Sequence, residues 1–107
     1  MINQTKVYNL IGLCKKANLL VSGITLCENA IRSKKAVLVI IAQDAGANTR
    51  KDIKNICNYY NIDLVKFGTG DMLGKLTRSN KKTVIAIKDE GFKIEILKKI
   101  ESSLGEA

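Results

Sequence analysis

The sequence has no histidine, no proline and no tryptophan, and it has only three cysteines among 107 residues. Cys14, Cys27 and Cys57 lack C-x-x-C spacing, and without histidine a zinc site would need several carboxylates. No imidazole is available to activate a cysteine as a nucleophile, and all three occupy apolar positions of helical patterns. We therefore predict buried, reduced thiols of a cytosolic protein that needs no metal and no other cofactor.

Long apolar runs are also missing. The longest is the seven-residue segment Ala36–Ala42, and the first ten residues, MINQTKVYNL, contain no apolar stretch of a signal peptide. We expect neither secretion by a signal peptide nor a membrane span, and hence a cytoplasmic protein without a membrane partner. The length and the 46% hydrophobic residues fit a single domain over residues 1–107, with its core at about residues 5–104.

Negative charge is scarce, because 18 lysines and arginines stand against 10 acidic residues and give a net charge of +8. The excess is concentrated in residues 1–35, with a net +5, and in residues 71–88, with a net +4. Such a charge attracts polyanions such as RNA, DNA or an anionic membrane surface. If the two segments meet in space they form one basic patch; the alternative is lysines scattered over solvated faces.

Apolar spacing alternates between helical and strand patterns along the chain. It predicts a helix over Thr5–Ala17, an extended stretch over Leu19–Ser22 that ends at Gly23, and then a second helix. The expected inward face of that second helix is Leu26, Cys27, Ala30 and Ile31. The β-branched run Ala36–Ala42 predicts a strand covered on both faces, followed by a loop over Asp44–Asn48.

The second half of the chain continues the alternation. Thr49 and Asp52 have the spacing of a capping box at the start of a third helix, and Leu64–Phe67 and Thr83–Ile87 have strand patterns. A short helix through Leu73 and Leu76 separates those strands, and Asp89 can cap a last helix. The residues expected to point inward from the third and last helices are Ile53, Ile56, Cys57, Tyr60, Phe92, Ile96, Leu97, Ile100 and Leu104. This order predicts an α/β fold, a three-layer α/β/α sandwich with a four-stranded mixed sheet.

The glycine-rich segment at residues 68–75 does not match a nucleotide-binding motif. A dinucleotide fingerprint needs glycine where the chain has Leu73, and a P-loop needs glycine at Thr69 and a hydroxyl at Leu76. A turn followed by a capped helix is the preferred interpretation. Asp44 follows a central strand, where α/β active sites often lie, yet it has no acid partner nearby in sequence. We therefore favour a loop or cap role for Asp44 and predict that the protein is not an enzyme.

Two polar segments are candidate binding sites. Ser22-Gly23 precedes the second helix, whose first-turn N–H groups favour phosphate or base acceptors, and Thr25, Asn29 and Arg32 share one polar face of that helix. The loop Arg78–Lys82 is basic and contains no aromatic residue. The alternative for both segments is an ordinary solvated surface. The few aromatic residues all fit core or helix positions, which disfavours single-strand stacking and favours structured RNA recognised by shape and backbone.

Four segments together resemble one known family: Ser22-Gly23 before a helix, AVLVIIAQDAGANT, NICNYYNI, and LGKL followed by a loop and TVIAI. The family is the superfamily of kink-turn RNA binders named after the large-subunit ribosomal protein "seven-Ae", and within it the bacterial YlxQ-type branch. The resemblance extends from about Tyr8 to Phe92. It implies an α/β/α sandwich, RNA binding and no catalytic activity. In that superfamily a helix opening with G-x-N-E-x-x-K contacts the sheared G·A pairs of a kink-turn, and the loop before the last strand covers a flipped-out nucleotide.

On this sequence the motif glycine is Gly23, whereas Thr25, Leu26 and Asn29 stand at the Asn, Glu and Lys positions. Leu26 cannot accept hydrogen bonds from guanine, and a missing bidentate contact costs about 1–3 kcal/mol of discrimination. The resemblance therefore implies RNA binding more strongly than it implies kink-turn specificity. The loop corresponds to residues 77–82. The RNA-binding residues that we expect are Gly23, Thr25, Leu26, Asn29, Arg32, Arg78, Ser79, Lys81 and Lys82.

These patterns predict a monomeric RNA-binding protein that docks on structured RNA through the start of the second helix and residues 77–82. Ribosomal RNA and the ribosome are the first candidate partners. The alternative hypothesis is a protein-interaction module that acts with the translation or RNA-processing machinery.

Overall fold

The structure is a computed structural model that describes residues 2–106, with side chains described over residues 4–101. In chain order its elements are α1 (Ile2–Lys16), β1 (Leu20–Ser22), α2 (Ile24–Arg32), β2 (Leu38–Ile41), α3 (Ala47–Tyr60), β3 (Asp63–Lys66), α4 (Gly70–Leu76), β4 (Val84–Ile87) and α5 (Glu90–Glu106). The predicted order of helices and strands is confirmed, with boundaries that shift by up to three residues.

The four strands form one mixed sheet in the order β1-β4-β2-β3. The central strand β4 is antiparallel to β1 and β2, whereas β2 and β3 are parallel. All four residues of β2 and all four of β4 are buried. A strand covered on both faces needs apolar side chains at every position, which explains the unbroken apolar runs.

Helices cover both faces of this sheet. Leu38 and Ile40 of β2 face α1, α4 and α5, where they pack in a cluster with Val7, Ile11, Leu73 and Ile96. The alternate residues Val39 and Ile41 face α2 and α3, in a second cluster with Cys27, Ile31, Ile53 and Cys57. Burying one such side chain stabilises the folded state by about 1.5–3 kcal/mol relative to leaving it exposed to water. The predicted three-layer α/β/α sandwich with a mixed sheet is therefore confirmed.

The register aligns one end of the sheet across all four strands. Lys66 pairs with Ile41 and Ile41 with Val84, and the backbone N–H of Gly23 donates to the Val84 carbonyl at 2.9 Å. Helices α2, α3 and α4 begin just beyond this row. We call this end of the strands the upper edge of the sheet, as distinct from the outer edge, which is strand β3. The opposite end, at Ile87, is the lower edge.

Several predicted helix details were wrong. Leu26 is 55% exposed, so the inward face of α2 is limited to Cys27, Ala30 and Ile31. Helix α3 begins at Ala47 with Gly46 as its N-cap and without a capping side chain, so the capping box at Thr49 does not form. Ala45 is buried in the second cluster, and this packing places the start of α3. Tyr59 lies on a helix, as predicted, and its side chain is 81% exposed.

Other local predictions agree with the structure. The Asp89 carboxylate accepts the Phe92 backbone N–H at 2.9 Å and caps α5. The three cysteines are all buried. Ile96 and Ile100 lie in the core, whereas the Leu104 side chain lies outside the described residues.

Within residues 2–106 no helix is both long and apolar enough to cross a membrane.

Candidate nucleic-acid interface

The start of α2 depends on a glycine. Gly23 has φ 94° and ψ 151°, a backbone conformation that is essentially restricted to glycine. Its N–H is bonded to Val84 and its carbonyl accepts the Cys27 N–H at 3.0 Å, so strand β1 turns directly into the helix. No described side chain caps α2. The N–H groups of its first turn are therefore available to an external acceptor.

The loop at residues 77–82 is held against α4 by hydrogen bonds from one side chain and from its backbone. The buried Thr77 donates its hydroxyl to the Leu73 carbonyl at 2.9 Å, and the Ser79 N–H donates to the Gly74 carbonyl at 2.8 Å. A Cβ on Gly74 would overlap the Asn80 carbonyl, so the loop lies directly on this glycine. The cations of this loop are therefore carried by an ordered backbone.

The structure brings the two predicted segments together. The Lys82 Nζ lies 3.7 Å from the position that a Cβ on Gly23 would occupy. Arg78, Ser79 and Lys81 are exposed on the same loop. One ammonium group thus stands beside the α2 start, where the helix dipole also favours negative charge.

Asp44 connects the loop after β2 to the start of α4. One of its carboxylate oxygens accepts the Gly70 N–H at 2.9 Å, and the other lies 4.0 Å from the Lys81 Nζ. Thr69 also caps α4, since its hydroxyl accepts the Met72 N–H at 3.2 Å. The cap role of Asp44 and the turn-plus-cap interpretation of the glycine-rich segment are both confirmed.

The polar face of α2 extends away from the loop. Thr25, Asn29 and Arg32 are exposed on that face, as predicted. Arg32, however, lies in the last turn of α2, about 12 Å along the helix from Ile24. Its Nη1 lies 4.0 Å from the Glu28 Oε1. The α2 start and the residue 77–82 loop therefore form one surface, and Arg32 lies outside it.

The cations of the two basic sequence segments are divided between the two ends of the sheet. The Val37 N–H donates to the Ile87 carbonyl at 2.8 Å, which places Lys34 and Lys35 at the lower edge. Lys16 ends α1 at the same edge, just before β1 pairs with Ile87. The residue 77–82 loop precedes β4 and lies at the upper edge. The sheet therefore separates Lys16, Lys34 and Lys35 from this loop. Lys88 of the second segment lies at the lower edge as well, because its N–H donates to the Leu19 carbonyl at 2.8 Å.

A third set of cations lies at the outer edge of the sheet and was not predicted. Arg50 and Lys54 of α3 and Lys66 of β3 surround a cavity of about 360 Å³, with Ile41 and Leu64 at its base. The sequence signal was the four-residue spacing of Arg50 and Lys54 on a helix. Lys66 joins them only through the parallel pairing of β2 with β3.

The three cysteine thiols have raised pKa values. Burial raises the pKa of Cys14 and Cys27 to about 12 and that of Cys57 to about 11. A nucleophilic cysteine needs a lowered pKa and an accessible thiolate, whereas these thiols are buried in the core.

These features define a small α/β/α domain with a basic surface at the upper edge, formed by a glycine-started helix and an ordered loop. The family model of the ribosomal protein L7Ae/L30e/S12e/Gadd45 family matches residues 5–97. The chain belongs to this family.

The chain is also similar to individual proteins and solved structures. The chain is 35% identical over 85 residues to the RNA-binding protein YlxQ of Bacillus subtilis (strain 168), covering 79% of this chain and 85% of that protein. It is similar to a structure of a protein of unknown function from Bacillus halodurans C, with a TM-score of 0.85, 31% identity and coverage of 90% and 97%. The Giardia lamblia 15.5kD RNA binding protein shares the fold, with a TM-score of 0.79, 21% identity and coverage of 95% and 90%.

Proposed function

We propose that this protein binds structured RNA through the start of α2 and the loop of residues 77–82, without catalysing a reaction. The observation that carries the proposal is the contact between these two segments, where the Lys82 Nζ lies 3.7 Å from a Cβ position on Gly23. The family assignment and the names of the relatives support RNA as the polyanion. Ribosomal RNA is the first candidate, and we expect the protein to act as a monomer.

Phosphate contacts supply most of the binding energy in this proposal. Arg78, Lys81 and Lys82 present three positive charges on an ordered loop, beside the free N–H groups of α2. Each phosphate that they neutralise adds about 0.9 to the slope of log K against log salt for a duplex, or about 0.7 for a single strand. Such contacts position the protein on the RNA but carry no sequence information themselves.

Base-specific contacts are weak in this proposal. Thr25 and Asn29 can hydrogen-bond to base edges, but Leu26 presents an apolar side chain where the family motif has a carboxylate acceptor. Losing a bidentate base contact costs about 1–3 kcal/mol of discrimination. We therefore expect a standard kink-turn to bind no more than modestly better than other folded RNAs.

The proposal is tested by gel shift at several salt concentrations, with ribosomal RNA fragments, a standard kink-turn and a plain RNA duplex as probes. The loop variant combines Arg78→Gln, Lys81→Gln and Lys82→Gln. The matched control removes three exposed lower-edge charges by Lys16→Gln, Lys34→Gln and Lys35→Gln. We expect the loop variant to weaken binding at least tenfold more than the control. Absence of binding at low salt, or equal effects of the two variants, would contradict the proposal.

The alternative of a protein-interaction module has one observation in its favour. Ile24 and Leu26, at the same helix start, are 43% and 55% exposed. Two exposed aliphatic side chains suit an apolar partner surface. Pull-down with and without nuclease separates the two hypotheses, because a partner bridged by RNA is lost after digestion and a directly bound protein is retained.

A further inference from the structure

The cavity between α3 and the outer edge of the sheet is surrounded by positive charge. Arg50 and Lys54 stand one turn apart on α3, and Lys66 extends from the last position of β3 on the same side of the sheet. All three side chains are exposed. None of them takes part in the ion pairs found among the described residues, whereas Lys81, Lys93 and Lys98 each have a carboxylate within 4.0 Å. We call these three residues the edge cations.

The opposite flank of α3 has a different character. The residues that line the cavity between α2 and α3 include two carboxylates and, among the described side chains, one cation: Glu28, Arg32, Asp52, Asn55, Ile56 and Tyr59. Two carboxylates there repel a phosphate backbone. Of the two flanks of α3, only the one at the sheet edge is complementary to a polyanion.

Strand register connects the edge cations to the proposed RNA surface. Lys66, Ile41, Val84 and Gly23 lie in one row across the sheet. Three steps at the usual strand spacing separate Lys66 from Gly23 by about 14 Å. Residues 46–49, which begin α3 at this end of the sheet, are Gly-Ala-Asn-Thr and carry no charge. The carboxylate on this path is Asp44, which accepts the Gly70 N–H at 2.9 Å and lies 4.0 Å from the Lys81 Nζ, so these partners offset part of its charge. One RNA can therefore reach both places along the upper edge.

We propose that the edge cations form a second phosphate-binding site, which holds the backbone of the same RNA that docks at the α2 start and the residue 77–82 loop. This inference rests on the proposed function. Arg50 supplies a planar guanidinium that fits a phosphate bidentately, and Lys54 and Lys66 act as point charges. Ile41 and Leu64 also line this cavity. Long cationic side chains commonly lay their aliphatic stems on such apolar surface and keep their charged ends in water.

The test compares three variants by filter binding of the standard kink-turn RNA and of a ribosomal RNA fragment over a salt series. The edge variant combines Arg50→Gln, Lys54→Gln and Lys66→Gln. The loop variant and the lower-edge control described above remove the same number of charges elsewhere. Thermal unfolding monitored by circular dichroism verifies that all three variants are folded at the assay temperature. If the edge variant is not folded, the single variant Lys66→Gln replaces it.

We expect the edge variant to reduce the slope of log K against log salt by about two to three, and Lys66→Gln alone by about one, because each lost phosphate contact removes about 0.9. The lower-edge control should leave the slope within about 0.5 of the wild-type value. An edge variant that matches this control, while the loop variant still weakens binding, overturns the second site and leaves the proposed function intact. A wild-type protein that binds neither RNA overturns both.

Hydroxyl-radical footprinting of the same RNAs provides an independent readout. The edge variant should lose protection at backbone positions separate from those that the loop variant loses. Identical footprints for the edge variant and the wild-type protein count against the site. If the edge variant instead loses a protein captured from nuclease-treated extract and keeps full RNA affinity, the surface binds protein and the proposal is wrong.

Discussion

Alanine substitution at two helical glycines should change stability in opposite directions. Gly12 lies within α1, and a Cβ built there meets no atom within 4 Å. Gly74 lies within α4, where a Cβ would overlap the Asn80 carbonyl and lie 2.6 Å from its carbon and 3.0 Å from the Lys81 Cα. All three of the atoms near Gly74 belong to the backbone, so no side-chain rotation relieves the overlap.

The magnitudes follow from these surroundings. Gly12→Ala should raise the free energy of unfolding by about 0.5–1 kcal/mol, because alanine loses less backbone entropy in a helix. Gly74→Ala has at most the same gain, against about 1–3 kcal/mol for overpacking and about 0.5–1.5 kcal/mol for the weakened Ser79 to Gly74 hydrogen bond. The net expectation for Gly74→Ala is a loss of about 0.5–4 kcal/mol.

Urea denaturation followed by circular dichroism measures both values, and RNA affinity is then measured at a temperature where both variants are folded. Gly74→Ala should also weaken RNA binding, because the displaced backbone carries Arg78, Lys81 and Lys82. Gly12→Ala should leave affinity unchanged. The reasoning is refuted if Gly74→Ala is as stable as the wild-type protein, or if its RNA affinity is intact despite the loss of stability.

Gly23→Ala should lower the free energy of unfolding, measured by urea denaturation, by about 1–3 kcal/mol, because alanine rarely adopts the Gly23 backbone conformation. An unchanged free energy of unfolding would mean that α2 can begin with a different backbone conformation. Asp44→Asn keeps an oxygen acceptor for the Gly70 N–H and should cost less than 1 kcal/mol, whereas Asp44→Ala should cost about 1–2 kcal/mol; equal melting curves would show that this bond is not stabilising. Leu26→Glu should raise affinity for a standard kink-turn relative to a plain duplex by about 1–3 kcal/mol in competitive gel shifts, and no gain would show that an acceptor here does not reach the RNA. The three buried thiols stay protonated in the folded protein up to about pH 11–12, while the unfolded chain loses these protons from about pH 9. The free energy of unfolding should therefore be highest, as far as the thiols contribute, below pH 9 and should fall above it, by about 1.4 kcal/mol per thiol at pH 10; a Cys57→Ala variant with an unchanged alkaline decline would argue against this origin.

Local pattern was sufficient for much of this fold. Unbroken apolar runs marked β2 and β4 because strands buried on both faces tolerate no polar position. The Asp89 cap of α5 was also predictable, since the capping bond joins residues only three apart. Burial of the cysteines was predictable as well, because helical periodicity is also a short-range pattern.

Tertiary packing decided the details that short-range pattern leaves open. Periodicity gave the direction of the α2 inward face, but the neighbouring elements set its width and left Leu26 outside. Packing of Ala45 moved the start of α3 ahead of the predicted capping box at Thr49.

For the candidate site, the sequence by itself determined which residues carry charge and which glycine starts α2. Only the tertiary structure decided which of them meet. Antiparallel pairing of β4 with β1 places Lys82 beside Gly23, and the same sheet holds Lys34 and Lys35 at the opposite end. Parallel pairing of β2 with β3 adds Lys66 to the cations of α3. The physical reason is that strand register is a long-range property, set by which strands pair and in which direction, and no local spacing of lysines encodes it.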